Sequence, residues 1–65
     1  LDQRISEVLE EIRSGAWVAF GGLLRQAATR DDLVLTFLAL LELVRTGRIR
    51  LVQTDAFGEI RIQAA

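Results

Sequence analysis

The chain has no cysteine, which excludes both a disulfide framework and a thiolate metal site. It has no histidine, which removes the commonest metal ligand and the commonest general base. Methionine is missing too, so the sequence does not start at a natural initiation codon and is expected to be a piece of a longer protein. Lysine is absent: all eight basic residues are arginine, a pattern that reads as GC-rich coding bias rather than chemistry. The longest apolar run falls well short of the roughly 20 residues that span a membrane, and no signal peptide is visible. No membrane association is therefore expected, and the default location is cytoplasmic. A net charge of −1 offers no bulk attraction to nucleic acid.

The 65 residues form one domain at most. A domain of this size buries only about 60% of the surface its unfolded chain exposes, so its stability is marginal. With 51% apolar residues a compact core is feasible, and disorder is not expected.

Ile5, Val8, Leu9 and Ile12 recur at i, i+3, i+4 and i+7, which predicts a helix over Leu1 to Ser14. Glu7, Glu10, Glu11 and Arg13 take its other faces, Asp2 is a candidate N-cap, and Gly15 sits where a left-handed residue ends a helix. Ala16 to Phe20 is short and rich in β-formers, so it reads as a strand or extended connector closed by Gly21-Gly22. Leu23, Leu24, Ala27 and Ala28 suggest a second helix of about two turns. A third helix is predicted from about Arg30 to Thr46: Thr29 caps it, Asp31 and Asp32 suit its positive end, and Gly47 closes it. Beyond it, Ile49 and Leu51 alternate with Arg48, Arg50 and Val52. Ile60 and Ile62 alternate with Glu59, Arg61 and Gln63. Two such runs joined through Thr54-Asp55-Ala56-Phe57-Gly58 make a β-hairpin.

Helix, short strand, helix, helix, hairpin is the order of an α+β winged-helix domain, the helix-turn-helix variant with a C-terminal wing. The short strand can join the hairpin as a third strand, which spares the hairpin from standing as an isolated, marginal pair.

The third helix is unusually apolar for a small domain. From Arg30 to Val44 it has no internal basic residue, and it carries Asp31, Asp32 and Glu42. A helix that reads DNA in the major groove needs Arg, Lys, Asn, Gln, Ser or Thr on its free face. Arg45, Arg48, Arg50 and Arg61 could form a small basic patch near the wing, which keeps a DNA-binding winged helix of a transcription regulator as the alternative. They read more readily as solvated charges partnered by Asp55 and Glu59. Wound at about 100° per residue, the apolar positions separate into two arcs. One holds Phe37, Leu41 and Val34, with Leu33 and Val44 at one edge and Leu38 at the other. The second holds Leu40, Leu43, Ala39 and Thr36. Both arcs are used only if one packs on the first two helices and the other meets a partner, a second copy of the chain being one candidate. From periodicity alone Phe37 reads equally well as core or as interface.

Catalysis is not expected. Asp31, Asp32, Asp55 and Glu59 form no paired constellation, and Phe20-Gly21-Gly22-Leu23 lacks the spacing and the lysine of a phosphate-binding loop. No cofactor and no metal are called for.

The run Thr36-Phe37-Leu38-Ala39-Leu40-Leu41-Glu42-Leu43-Val44, then Gly47, then Leu51 to Ile60 with Gln53-Thr54-Asp55-Ala56-Phe57-Gly58, resembles the C-terminal winged-helix domain of the kleisins. The closest likeness is to the bacterial kleisin family of segregation and condensation protein A (ScpA). It covers essentially the whole chain and is strongest from Thr36 to Ile62. The resemblance implies a protein-interaction domain, residues 1–65, at the C-terminal end of a longer kleisin. Such a domain binds the cap side of an SMC ATPase head through the third helix and the adjacent wing strand, closing a ring that serves chromosome condensation and segregation at the nucleoid. It implies Phe37 and Leu41 as apolar anchors, with Val34, Leu38 and Arg45 around them and Gln53 on the wing. It also implies a second partner, ScpB, on other parts of the full-length chain, and no direct contact with nucleic acid.

Overall fold

In the computed structural model, residues 1–15, 18–53 and 55–65 are described. The elements run α1 (Asp2–Ser14), β1 (Val18–Ala19), α2 (Phe20–Arg25), α3 (Arg30–Arg45), β2 (Ile49–Gln53) and β3 (Ile60–Ala64). The predicted order holds, and the ends of α1, β1 and α2 differ from expectation.

Asp2 is not the N-cap of α1. The Ile5 N–H bonds to the Leu1 carbonyl at 2.9 Å, which starts the helix one residue earlier and leaves Asp2 in its first turn. Gly15 is not left-handed: at φ −118° and ψ 163° it is extended. The end of α1 is satisfied locally instead, by the Ser14 hydroxyl donating to the Glu11 carbonyl at 2.8 Å and by the Gly15 N–H reaching Ile12 at 3.4 Å. Of the predicted strand from Ala16 to Phe20, Val18–Ala19 are strand and Phe20 begins the next helix; Ala16 and Trp17 lie outside the described residues, as does Thr54 of the hairpin turn.

The largest difference lies in α2, which begins at Phe20 and includes both Gly21 and Gly22. Glycine costs helix propensity, but Leu23 packs into the core and Phe20 and Leu24 pack against it. Ala27 and Ala28 fall past its end. Gln26 and Ala27 donate to Leu23 and Leu24 in tightened i→i−3 bonds, and the Ala28 N–H turns to the Asp32 carboxylate at 3.4 Å.

The three strands form one antiparallel sheet in the order β1-β3-β2. Leu51 pairs with Ile62 and Gln53 with Ile60, while Val18 faces Ile62 from the other side. The short strand thus joins the hairpin as its third member. The core gathers Val8, Leu9 and Ile12 of α1, Leu23 of α2, Ala39, Leu40 and Leu43 of α3, and Ile49 and Ile62 of the sheet. Ile62 on the central strand is fully covered, whereas Leu51 opposite it on the edge strand stays half exposed. Three helices on a three-stranded sheet whose last two strands form a hairpin make an α+β winged-helix fold.

Candidate docking face on the third helix

Both ends of α3 are fixed. Thr29 is the N-cap: its Oγ1 accepts the Asp32 N–H at 3.1 Å, and Asp31 and Asp32 supply negative charge to the first turn. At the other end Gly47 takes φ +73°. Its N–H bonds to Val44 at 3.0 Å and that of Arg48 to Leu43 at 2.9 Å, the paired bonds of a Schellman ending. Sixteen residues held this way give a rod of about 24 Å.

One side of the rod is fastened to α1. Arg4 donates through Nη1 to the Thr36 hydroxyl at 3.0 Å and through Nη2 to Asp32 Oδ1 at 2.6 Å. The first bond satisfies Thr36, the one polar side chain among the buried described residues. The second, with the Ala28 N–H, holds the Asp32 carboxyl below its ordinary value. Thr36, Ala39, Leu40 and Leu43 line this inner side.

The opposite side is open. Val34, Phe37, Leu38 and Leu41 are 49%, 42%, 45% and 50% exposed, and Leu33 and Val44 flank them at 39% each. The two arcs seen on the helical wheel are therefore one buried and one bare, and the arc with Phe37 is the bare one. The Phe37 ring is nonetheless held. It meets Phe20 of α2 edge-on, centroids 6.4 Å apart and planes at 77°. Leu24, Leu33, Val34 and Phe37 line a shallow, wholly apolar groove between α2 and α3.

Of the residues singled out from the sequence, Val34, Phe37, Leu38 and Leu41 come together on this face. Arg45 follows one turn past Leu41, exposed, with its guanidinium paired to Glu42 in the same helix. That pairing raises the Arg45 pKa, lowers that of Glu42, and replaces the partnership expected with Asp55 or Glu59. Gln53 lies on another element. Its amide donates to the Gly58 carbonyl at 2.9 Å and approaches that of Ala56 at 3.5 Å, so it faces the wing turn. Sequence reasoning missed Phe20 as the ring that meets Phe37, because α2 had been placed after the glycines, and it did not bring Leu24 to the groove. Between its two ends the open face carries no basic side chain, which makes it a poor surface for phosphate. Among the described residues no cluster of three or more acidic side chains could hold a metal ion, and no helix is long and apolar enough to cross a membrane.

The fold and its open helix face define a winged-helix domain whose third helix presents apolar side chains where a DNA reader would present polar ones. Comparison with known proteins gives the family. Residues 1–65 match the family described as Segregation and condensation protein ScpA, and the chain belongs to it. It is 44% identical over 62 residues to segregation and condensation protein A of Brevibacillus brevis, covering 95% of this chain and 24% of that protein. It is 39% identical over 62 residues to that of Myxococcus xanthus, covering 92% and 22%, and 30% identical over 63 residues to that of Clostridium acetobutylicum, covering 97% and 25%. The chain thus spans about a quarter of the length of the curated relatives it matches.

Proposed function

We propose that this chain is a protein-interaction module that docks on the cap side of an SMC ATPase head. By closing an SMC–kleisin ring it would serve chromosome condensation and segregation at the nucleoid. It forms a single domain, residues 1–65, in the C-terminal part of a longer kleisin, and the ScpB partner binds other parts of that chain. It performs no catalysis itself. Phe37 and Leu41 are the anchors, Val34 and Leu38 complete the apolar patch, Arg45 lies at its polar rim, and Gln53 belongs to the adjacent wing.

One observation carries this reading: Val34, Phe37, Leu38 and Leu41 share one helix face, each 42–50% exposed, on a helix whose other face fills the core. A contiguous apolar patch with an ordered aromatic is what an interface core requires, and the largest such patch on a small protein is often its functional one. The family's printed description supplies the setting in segregation and condensation.

The test is co-purification and titration with an SMC head from the same organism. Phe37→Arg or Leu41→Arg abolishes binding while the circular dichroism spectrum of the chain is unchanged. Unfolding of both variants would remove the face from the interface and return it to the core.

A further inference from the structure

The wing ends in a turn that is built to hold one bare aromatic ring. The Gly58 N–H bonds to the Asp55 carbonyl at 3.0 Å, closing Asp55-Ala56-Phe57-Gly58 as a β-turn. None of these four residues has positive φ, which fits the commonest turn type, with Asp first and Gly last. The turn is tight: a Cβ at position 58 would stand 3.1 Å from that of Asp55. Gln53 straps it from the end of β2 through the bonds to Gly58 and Ala56. Phe57 sits in the middle of this turn at 102% exposure, so its ring touches nothing in the domain.

A fully bare phenylalanine on a pinned turn adds nothing to the stability of this domain. The area of the α3 face indicates where it is used. Its six apolar side chains present on the order of 450 Å², comparable to the roughly 300–600 Å² of the largest patches on ordinary monomers. A stable interface of standard size takes about 800 Å² from each partner. β2 runs beside α3 from the Gly47 cap towards the tip, and Leu51, opposite the buried Ile62 and so on the helix side of the sheet, adds a half-exposed apolar side chain along that strand.

We infer that Phe57 is a second apolar anchor for the same protein partner that meets the open face of α3, and that Gln53 is a positioning residue that holds Phe57 in place rather than a contact in its own right. The inference rests on the docking function proposed for that face. A turn already ordered in the free domain loses little entropy on binding, so the strap contributes through preorganisation.

The experiment titrates the chain and its variants with an SMC ATPase head and follows amide hydrogen exchange of the free chain. Phe57→Ser weakens binding about tenfold or more with no fall in melting temperature, and Phe57→Leu restores part of it. Gln53→Ala and Gln53→Glu speed exchange at the Gly58 amide and weaken binding several-fold. Parent-like binding by Phe57→Ser, with binding lost in Phe37→Arg, overturns the second anchor and leaves the helix face intact. Unchanged Gly58 exchange in Gln53→Ala overturns the strap. Absence of binding by the parent chain, or full binding by Phe37→Arg, overturns the docking reading and this inference together. A parent dimer that Phe57→Ser converts to monomer assigns the tip to a second copy and overturns the inference too.

Discussion

Leu40 and Leu41 are adjacent in α3 and identical in chemistry, yet the first is 1% exposed and the second 50%. The contrast runs along the whole helix. The inner arc holds Thr36, Ala39, Leu40 and Leu43, and the outer arc holds Val34, Phe37, Leu38 and Leu41. By side-chain size the outer arc is the greasier of the two, yet it is the one left in water. Its members are each only half covered by the domain. Ala39, with no exposed surface at all, lets the inner side of α3 lie close against its neighbours, and the polar Thr36 is acceptable there because Arg4 supplies its hydrogen bond. A small residue and a satisfied polar one suit a helix–helix seam, whereas large apolar side chains left half in water suit a partner's surface.

The strongest way to break this comparison is to truncate the two leucines in turn. Leu40→Ala removes fully buried methyl groups and leaves a cavity, at a cost of about 2–5 kcal/mol. In a domain this small each kcal/mol lowers the melting temperature by about 4–8 °C, so the variant melts roughly 8–40 °C below the parent. Leu41→Ala stays within about 0.5 kcal/mol of the parent, because its surroundings are already half water. Thermal melts of both variants read this directly, and equal losses would mean that the outer arc is core after all.

The ends of α3 provide the next, smaller test, since they set how stiffly both arcs are presented. Gly47→Ala places a Cβ at φ +73° with nothing within 4 Å of it, so any loss is backbone strain alone, about 1–2 kcal/mol. Thr29→Ala removes the hydroxyl oxygen that accepts the Asp32 N–H, at about 1 kcal/mol. Both should lower the chemical-denaturation midpoint without altering the far-ultraviolet spectrum. No loss in Gly47→Ala would show that the left-handed ending is not required.

The strongly periodic elements were legible from sequence. α1, α3 and the hairpin announced themselves through spacing, and Thr29 and Gly47 marked the ends of α3 where the structure has them. Legibility ended where a short segment depends on its neighbours. Gly21 and Gly22 read as a break, yet they lie inside α2, because six residues can be held helical by packing of Phe20, Leu23 and Leu24 against the core. The wheel separated the two arcs of α3 without saying which faces inward. That depends on where α1 crosses, and the Arg4 contacts fixing the crossing span 28 and 32 residues. Gln53 illustrates the same limit: its type and position were visible, but not that its amide turns to the wing carbonyls. The exposure of Phe57 likewise depends on the turn closing with no element above it.

The smallest effect sharpens the contrast between the side of α3 that is fastened and the side that is free. Two carboxylates on this helix have pKa values below the ordinary range. Asp32 is lowered from 3.8, first by the hydrogen bond from Arg4, then by the Ala28 N–H and by the charge of Arg4. Glu42 is lowered from 4.5 by the hydrogen bond from Arg45, three residues along the same helix. A carboxylate with a depressed folded-state pKa binds protons more readily when unfolded. Its stabilisation is therefore complete above the unfolded value and is lost as pH falls through the folded one. For Asp32 the window opens just below pH 3.8 and extends downward. Of these two carboxylates only Asp32 ties α3 to another helix, so its protonation loosens the seam, while the Glu42–Arg45 pair reinforces its own helix locally. Denaturation midpoints measured from pH 7 to pH 2.5 should show Asp32→Asn less stable than the parent at neutral pH, with the gap closing as the parent's Asp32 protonates. Glu42→Gln should follow the parent more closely throughout. A gap for Asp32→Asn that stays constant across the range would mean that Arg4 holds the seam through Thr36 alone, independent of the charge on Asp32.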